Sequence, residues 1–278
     1  MSHEAAALED VMEEQKPVLL VTGASSGIGE ATARLCAQAG YRIVLAARRS
    51  ERLERLSEEI RLKGGVALPV QTDLSNQADI RHLVECSLEH FGRIDILLNN
   101  AGVGRLGWLE SLDPVNDIES QLRVNLLAVI YVTQAVLPGM IQHSSGHIIN
   151  MASLAGMVGT PTYTIYAASK FAMRGFNEAL RREVGVRGIR VSGIYPGGVA
   201  NDFGSRTGAR RKTGMTTPPA LRLSSEDVAR AVLRVIKRPR RTVILPPVMH
   251  MAVWLNAALP GFVDWVIERR FVRPERDL

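Results

Sequence analysis

Cysteine is almost missing from this chain. Cys36 and Cys86 are the only two in 278 residues, and both fall in stretches with helical patterning. Their positions fit neither a metal cluster nor a redox pair, so no metal site and two buried, reduced thiols are expected. An apolar leader is missing too. Residues 1–16 are acidic and read as a flexible tail, not as a signal or transit peptide. Acidic residues are outnumbered, 28 against 34 Lys and Arg, for a net charge of +6. Such a balance suits nucleic acid, an anionic membrane surface or a phosphorylated ligand. No RNA-binding aromatic motif and no zinc-finger spacing accompanies it, which argues against nucleic acid. A clean transmembrane run is also lacking. The apolar stretch from Val248 to Ile267 contains His250, Asn256 and Asp264 and is broken at Pro260-Gly261.

What is present is 46% hydrophobic and 22% charged, the balance of a single globular α/β domain. Short apolar runs alternate with helical patterns. Val18–Val21 leads into Thr22-Gly-Ala-Ser-Ser-Gly27-Ile-Gly29 and then a helix that stops at Gly40. Glycines between a strand and a helix let the backbone approach a pyrophosphate at the positive end of the helix dipole. Further strands are expected at 41–46, 66–71, 94–98, 147–151, 189–195 and 242–245. A long helix is expected over about 114–142, and another from Ser224, which caps it with Asp227 at the third helical position. The polar stretch Val199–Leu223 is too long for a simple connection. Small or polar residues collect where the strands end: Gly23 and Ser25, Arg48, Asp73, Asn100 and Gly102, Ser153, Pro196 and Gly197. In an open parallel sheet that edge binds ligands.

Two features suggest chemistry. Tyr166 and Lys170, four residues apart, share one face of a helix. A neighbouring ammonium favours the phenolate, so the phenol is expected to exchange its proton nearer neutral pH. Ser153, at a strand end, offers a hydroxyl to the same oxygen that the tyrosine would protonate. At the end of the second strand no acid stands ready for ribose hydroxyls. Arg48 and Arg49 stand there instead. They either clamp a 2′-phosphate or simply begin a solvated helix, and the glycine loop upstream favours the clamp.

In motif order and spacing, the chain resembles the short-chain dehydrogenase/reductase family from Pro17 to Leu245. The resemblance rests on Thr22–Gly29, Asp73, Asn99-Asn-Ala-Gly102, Asn125, Ser153, Tyr166-Ala-Ala-Ser-Lys170 and Pro196-Gly197. It implies a three-layer, doubly wound Rossmann fold with a mostly parallel sheet of about seven strands. It also implies hydride transfer between a nicotinamide cofactor and a carbonyl/alcohol pair, with Tyr166 as acid/base. Lys170 would lower the pKa of Tyr166 and hold the ribose, Ser153 would position substrate, and Asn125 would hold a relay water. Gly23, Ser25, Ser26, Gly27, Ile28, Gly29, Asp73, Leu74, Asn100, Ala101, Gly102, Pro196, Gly197 and Val199 would line the cofactor, and Asn201 would replace a threonine near the carboxamide. Arg48 and Arg49 point to NADP(H) over NAD(H). Tyr163 would line the pocket or serve structure.

A small, hydrophobic carbonyl or alcohol substrate, a cytoplasmic location and a homodimer or homotetramer are expected with it. Two other functions stay open: a membrane-associated dehydrogenase for a lipid-like or steroid-like alcohol, and a cofactor-binding protein without turnover. Residues 17–245 would form the catalytic domain and 246–278 an apolar helical extension of it. The extension has three open placements: folded back over the pocket as two short helices, buried between subunits, or laid in a membrane interface. In the last, Trp254 and Trp265 would sit at headgroup level with Arg269, Arg270 and Arg273 facing anionic lipid.

Overall fold

Alternation along the central strand sets the layers. In β1 (Val18–Thr22), Leu19 and Val21 face one side of the sheet, Val18 and Leu20 the other, and each pair enters a different hydrophobic cluster. All five residues are buried, as strands covered on both faces must be. The computed structural model describes residues 16–200, 203, 207 and 217–277. The expected tail, apart from Lys16, and Asn201 lie outside them.

Seven strands make one sheet in the order β3-β2-β1-β4-β5-β6-β7, and every pairing is parallel. The other strands are β2 (Arg42–Ala47), β3 (Ala67–Gln71), β4 (Ile96–Asn99), β5 (Gly146–Met151), β6 (Ile189–Pro196) and β7 (Thr242–Leu245). Leu20 pairs with Val44 on one side and Leu97 on the other. The strand order reverses between β1 and β4, and the crevice at that switch point is where such sheets take ligands.

Helices cover both faces. α1 (Gly27–Gln38), α2 (Ser50–Leu62) and α6 (Ser225–Lys237) cover the Leu19 side. α3 (Gln77–Phe91), α4 (Pro114–Gln142) and α5 (Thr164–Val184) cover the Leu20 side. The capping box of α6 forms as expected, with Asp227 N–H donating to Ser224 Oγ at 3.0 Å and Ser224 N–H to Asp227 Oδ2 at 2.8 Å. Helix α4 is long and apolar enough to cross a membrane, but it packs as a layer on α3, β4 and β5. It is not uniform: Pro114–Glu119 and Arg123–Leu127 are π-helical turns, and the second holds Asn125. Of the two thiols, Cys36 is buried, whereas Cys86, on the outer flank of α3, is only half-buried.

The Val199–Leu223 excursion is clamped at its base. Ala200 N–H donates to Leu223 C=O at 2.8 Å and Leu223 N–H to Gly198 C=O at 2.9 Å. After β7 the chain forms two short helices, α7 (Met249–Ala258) and α8 (Pro260–Ile267). Met249 and Val253 pack on a cluster that includes Met157, Met173 and Tyr195. Beyond α8, Phe271 is buried beside Trp108 and Arg276 lies 3.9 Å over the Trp108 ring, with an ion pair to Glu110 at 2.8 Å. The extension therefore straps the end of β7 to the loop that follows β4.

Candidate active site

Backbone approach builds one half of the site. Gly23 and Gly27 adopt φ of 68° and 59°, open to glycine with little strain. A side chain at Gly29 would collide with Gly23 C=O and meet Asn100 Nδ2 at 2.6 Å. The turn can therefore close onto β4 only with glycine there. Asn100 Nδ2 donates to Thr22 C=O at 2.9 Å, and Thr22 Oγ1 accepts from Asn100 and Ala101 N–H at 2.9 and 3.1 Å. These bonds fix the switch-point crevice between the ends of β1 and β4. Ile28, Leu74 and Val199 are partly buried and pack against the hydrophobic clusters.

At the far end of the glycine turn, Arg49 donates to Ser25 Oγ and Ser26 Oγ, both at 2.9 Å. Arg48 is exposed and lines a cleft of about 320 Å³ with Gln71, Asp73, Asp79 and His82. Burial pulls the Asp73 carboxyl upward, but hydrogen bonds from Ser75 and the nearby Arg48 outweigh it and hold it below its ordinary range.

The other half gathers at the ends of β5 and β6. Ser153 caps a 3₁₀ turn, accepting from Ala155 N–H at 3.1 Å, and its hydroxyl pulls the Tyr166 phenol downward. Gly156 lets this turn rest directly on α5: a Cβ there would stand 2.6 Å from Lys170 C=O. Lys170 Nζ donates to Met151 C=O at 3.0 Å and lies 5.6 Å from the centre of the Tyr166 ring. Burial lowers the Lys170 ammonium to about 8.

The Tyr166 phenol shifts upward, opposite to the direction expected. Burial pushes the phenol up to about 12, against a downward pull from the Ser153 hydroxyl. The reason is geometric. The ammonium is turned to the Met151 carbonyl and faces the ring, while desolvation acts on the whole phenol. Tyr166 is thus held as a neutral hydroxyl, a form that can donate a proton.

Asn125 is fully buried, and its amide is already committed. Oδ1 accepts from Val103 N–H at 2.8 Å, and Nδ2 donates to Val103 C=O at 2.8 Å and to Ser169 Oγ at 3.4 Å. Ser169 Oγ in turn donates to Tyr166 C=O at 2.7 Å. The side chain therefore ties the loop after β4 to α5 and has no donor to spare for a water. A π turn at this point is the kind of helix irregularity found at functional sites.

Sequence reasoning missed two features. A buried polar ladder runs beneath the site: Asn99 Nδ2 donates to Asn150 Oδ1 at 2.8 Å, and Asn150 Nδ2 donates to Asn177 Oδ1. Paired Asn residues at the ends of two apolar strands were the available clue. The second is Phe203, whose ring lies 5.8 Å from Tyr166, with Tyr163 at 6.1 Å on an edge-to-face contact. Phe203 is the one aromatic residue in its polar loop.

Fold and crevice together describe a dinucleotide-dependent oxidoreductase. The sequence pattern of the short chain dehydrogenases matches residues 17–212. A dehydrogenase/reductase SDR family protein 7-like from Anopheles gambiae is 35% identical over 264 residues, covering 91% of this chain and 82% of its own. Two solved structures are similar. One is a short-chain dehydrogenase/reductase from Burkholderia phymatum in complex with NAD, with TM-score 0.80 and 28% identity over 90% of this chain and 96% of that one. The other is an alcohol dehydrogenase from the archaeon Thermococcus sibiricus complexed with 5-hydroxy-NADP, with TM-score 0.73 and 29% identity over 83% and 95% of the two chains. The chain belongs to the short-chain dehydrogenase/reductase family and is an NAD(P)-dependent dehydrogenase/reductase.

Proposed function

We propose that the protein reduces a hydrophobic ketone or aldehyde with NADPH, and oxidises the matching alcohol in reverse. The observation that carries this reading is the buried, neutral Tyr166, with the Ser153 hydroxyl acting on its phenol and the Lys170 ammonium 5.6 Å from its ring centre. The nicotinamide supplies the hydride when bound, and the protein supplies orientation and the proton. Tyr166 donates its phenolic proton to the carbonyl oxygen as that oxygen gains charge. Ser153 donates a hydrogen bond to the same oxygen and fixes its distance from the phenol. Lys170, whose ammonium donates to Met151 C=O and faces the Tyr166 ring, would hold the nicotinamide ribose. Asn125 acts as a positioning residue, through Val103 and Ser169.

The glycine turn and the N-terminus of α1 fit a pyrophosphate, by their close backbone approach and helix dipole. Arg48, beside the cleft with Asp73, and Arg49, locked on Ser25 and Ser26, suit a 2′-phosphate, which supports NADPH. Tyr163 and Phe203 flank Tyr166 with aromatic surface, which supports an apolar substrate.

The test is NADPH and NADH oxidation over a panel of carbonyl compounds, with Tyr166→Phe alongside. Tyr166→Phe should lower kcat by about 10²–10⁴-fold and leave NADPH affinity nearly unchanged. Near-parental kcat in that variant sinks the assignment of the proton donor. No turnover across the panel with either cofactor sinks the reading as a whole.

A further inference from the structure

Helices α7 and α8 turn one face inward and leave the other to solvent. Met249, Val253 and Phe271 are taken up by the body of the molecule. The outward face carries Val248, Met251, Trp254, Leu259, Phe262 and Trp265, each between 49% and 71% exposed. Fourteen large apolar side chains are exposed among the described residues, and these six come from a single stretch, 248–265. Scattered exposed apolar residues are ordinary, but a concentration of this kind marks a surface that meets something.

Charge identifies what it meets. Arg269 lies 4.8 Å over the Trp265 ring, and Trp265 stacks on Phe262 at 6.1 Å. Arg269 and Arg270 are exposed with no acidic partner among the described residues, whereas Arg273 and Arg276 are spent on Glu268 and Glu110. The one acid of α8, Asp264, is exposed and is outnumbered by these two arginines. An apolar face with indoles and guanidiniums at its rim matches a bilayer interface, where the rings reach headgroup depth and the arginines meet phosphate. A second copy would bring to this face only one exposed acid of α8, Asp264, against the two arginines.

We propose that the outward face of α7 and α8 docks on an anionic lipid surface. This places the C-terminal edge of the sheet, where the site opens, towards the bilayer, so that an apolar substrate can be drawn from it. The docking itself does not rest on the reaction proposed above.

The experiment is flotation of the full chain with vesicles of phosphatidylcholine plus phosphatidylserine, and with phosphatidylcholine alone. Tryptophan quenching by brominated lipid is followed in parallel in Trp108→Phe. The parent should float with the anionic vesicles, and Trp254 and Trp265 should be quenched. Combining Met251→Ser, Trp254→Ser and Phe262→Ser should lower partitioning about tenfold or more. Combining Arg269→Gln and Arg270→Gln should lower it roughly tenfold on anionic vesicles only. Circular dichroism and a thermal melt check the fold. If the triple variant misfolds, the arginine pair, whose side chains lie at the surface, carries the test. A parent that stays with the soluble fraction on anionic vesicles overturns the proposal, as does unchanged flotation in both variants. So does a lipid-free dimer, seen by light scattering, that the triple variant dissolves, because the face would then belong to a second copy.

Discussion

Arg48 and His147 show how neighbours give one side chain its role. Arg48 stands exposed beside Asp73 and the cleft, while Arg49 is held on the glycine turn. A charge-assisted guanidinium–phosphate contact contributes about 1.5–3 kcal/mol, roughly ten- to hundredfold in specificity. Arg48→Asp should therefore shift the ratio of kcat/KM for NADPH over NADH by that factor towards NADH. An unchanged ratio would return Arg48 to the solvated start of α2. His147 illustrates burial. It is enclosed under the sheet, bonded to Ser192 Oγ at 2.8 Å, and desolvation with the nearby Arg190 brings it down to about 4. Between that value and its ordinary 6.5 the unfolded chain binds more protons, so stability falls as the pH falls. The loss from this residue should total about 3 kcal/mol across that window. Urea melts at pH 7, 5 and 4 should show the loss in the parent and a visibly flatter acid limb in His147→Gln. Parallel curves would place the acid sensitivity elsewhere.

Among the elements, the 3₁₀ turn at Leu154–Gly156 and helix α5 act as a unit, because the hydroxyl on one and the phenol on the other must meet. Gly156 sets their spacing. A methyl there would press on the Lys170 backbone, at 2.6 Å from its oxygen and 2.8 Å from its carbonyl carbon. Backbone of a packed helix yields little, so the turn itself must move away and carry Ser153 with it. Gly156→Ala should lower kcat about tenfold or more, since misplacement by a fraction of an ångström already erodes orientation. Cofactor affinity should change much less, because the glycine turn lies at another strand end. Equal losses in both would show that the damage is general unfolding rather than a shifted turn.

For the molecule as a whole, the C-terminal strap joins two loops of the substrate edge that are far apart in sequence. Its anchor is Phe271, 6% exposed, beside Trp108, with Arg276 stacked on the same indole. Removing a buried aromatic ring typically costs about 3–5 kcal/mol, and here the loss falls first on the docking of the strap. Phe271→Ala should raise amide exchange across 260–277 and in the loop around Trp108, while β1, β4 and β5 keep their protection. Unchanged exchange in the strap would mean that α7 alone holds it down.

The sequence by itself determined whatever depends on near neighbours along the chain. The glycine turn between β1 and α1, the tyrosine and lysine one helical turn apart, Ser153 at a strand end and the capping box at Ser224 all rest on local spacing. The alternation of apolar runs with helical patterns likewise settled the parallel, doubly wound sheet. Tertiary structure decided the rest, because it depends on groups that only the crossovers bring together. Burial, which no spacing reveals, sends Tyr166 upward in pKa where the sequence suggested a lysine would bring it down. The partners of Asn125 come from Val103, 22 residues away, and from Ser169, 44 away. The ladder from Asn99 through Asn150 to Asn177 spans two strands and a helix. Nor could spacing tell which face of the C-terminal helices would turn inward. Both faces are apolar, so the choice fell to the shape of the cluster around Tyr195 and to the pocket that Trp108 offers Phe271.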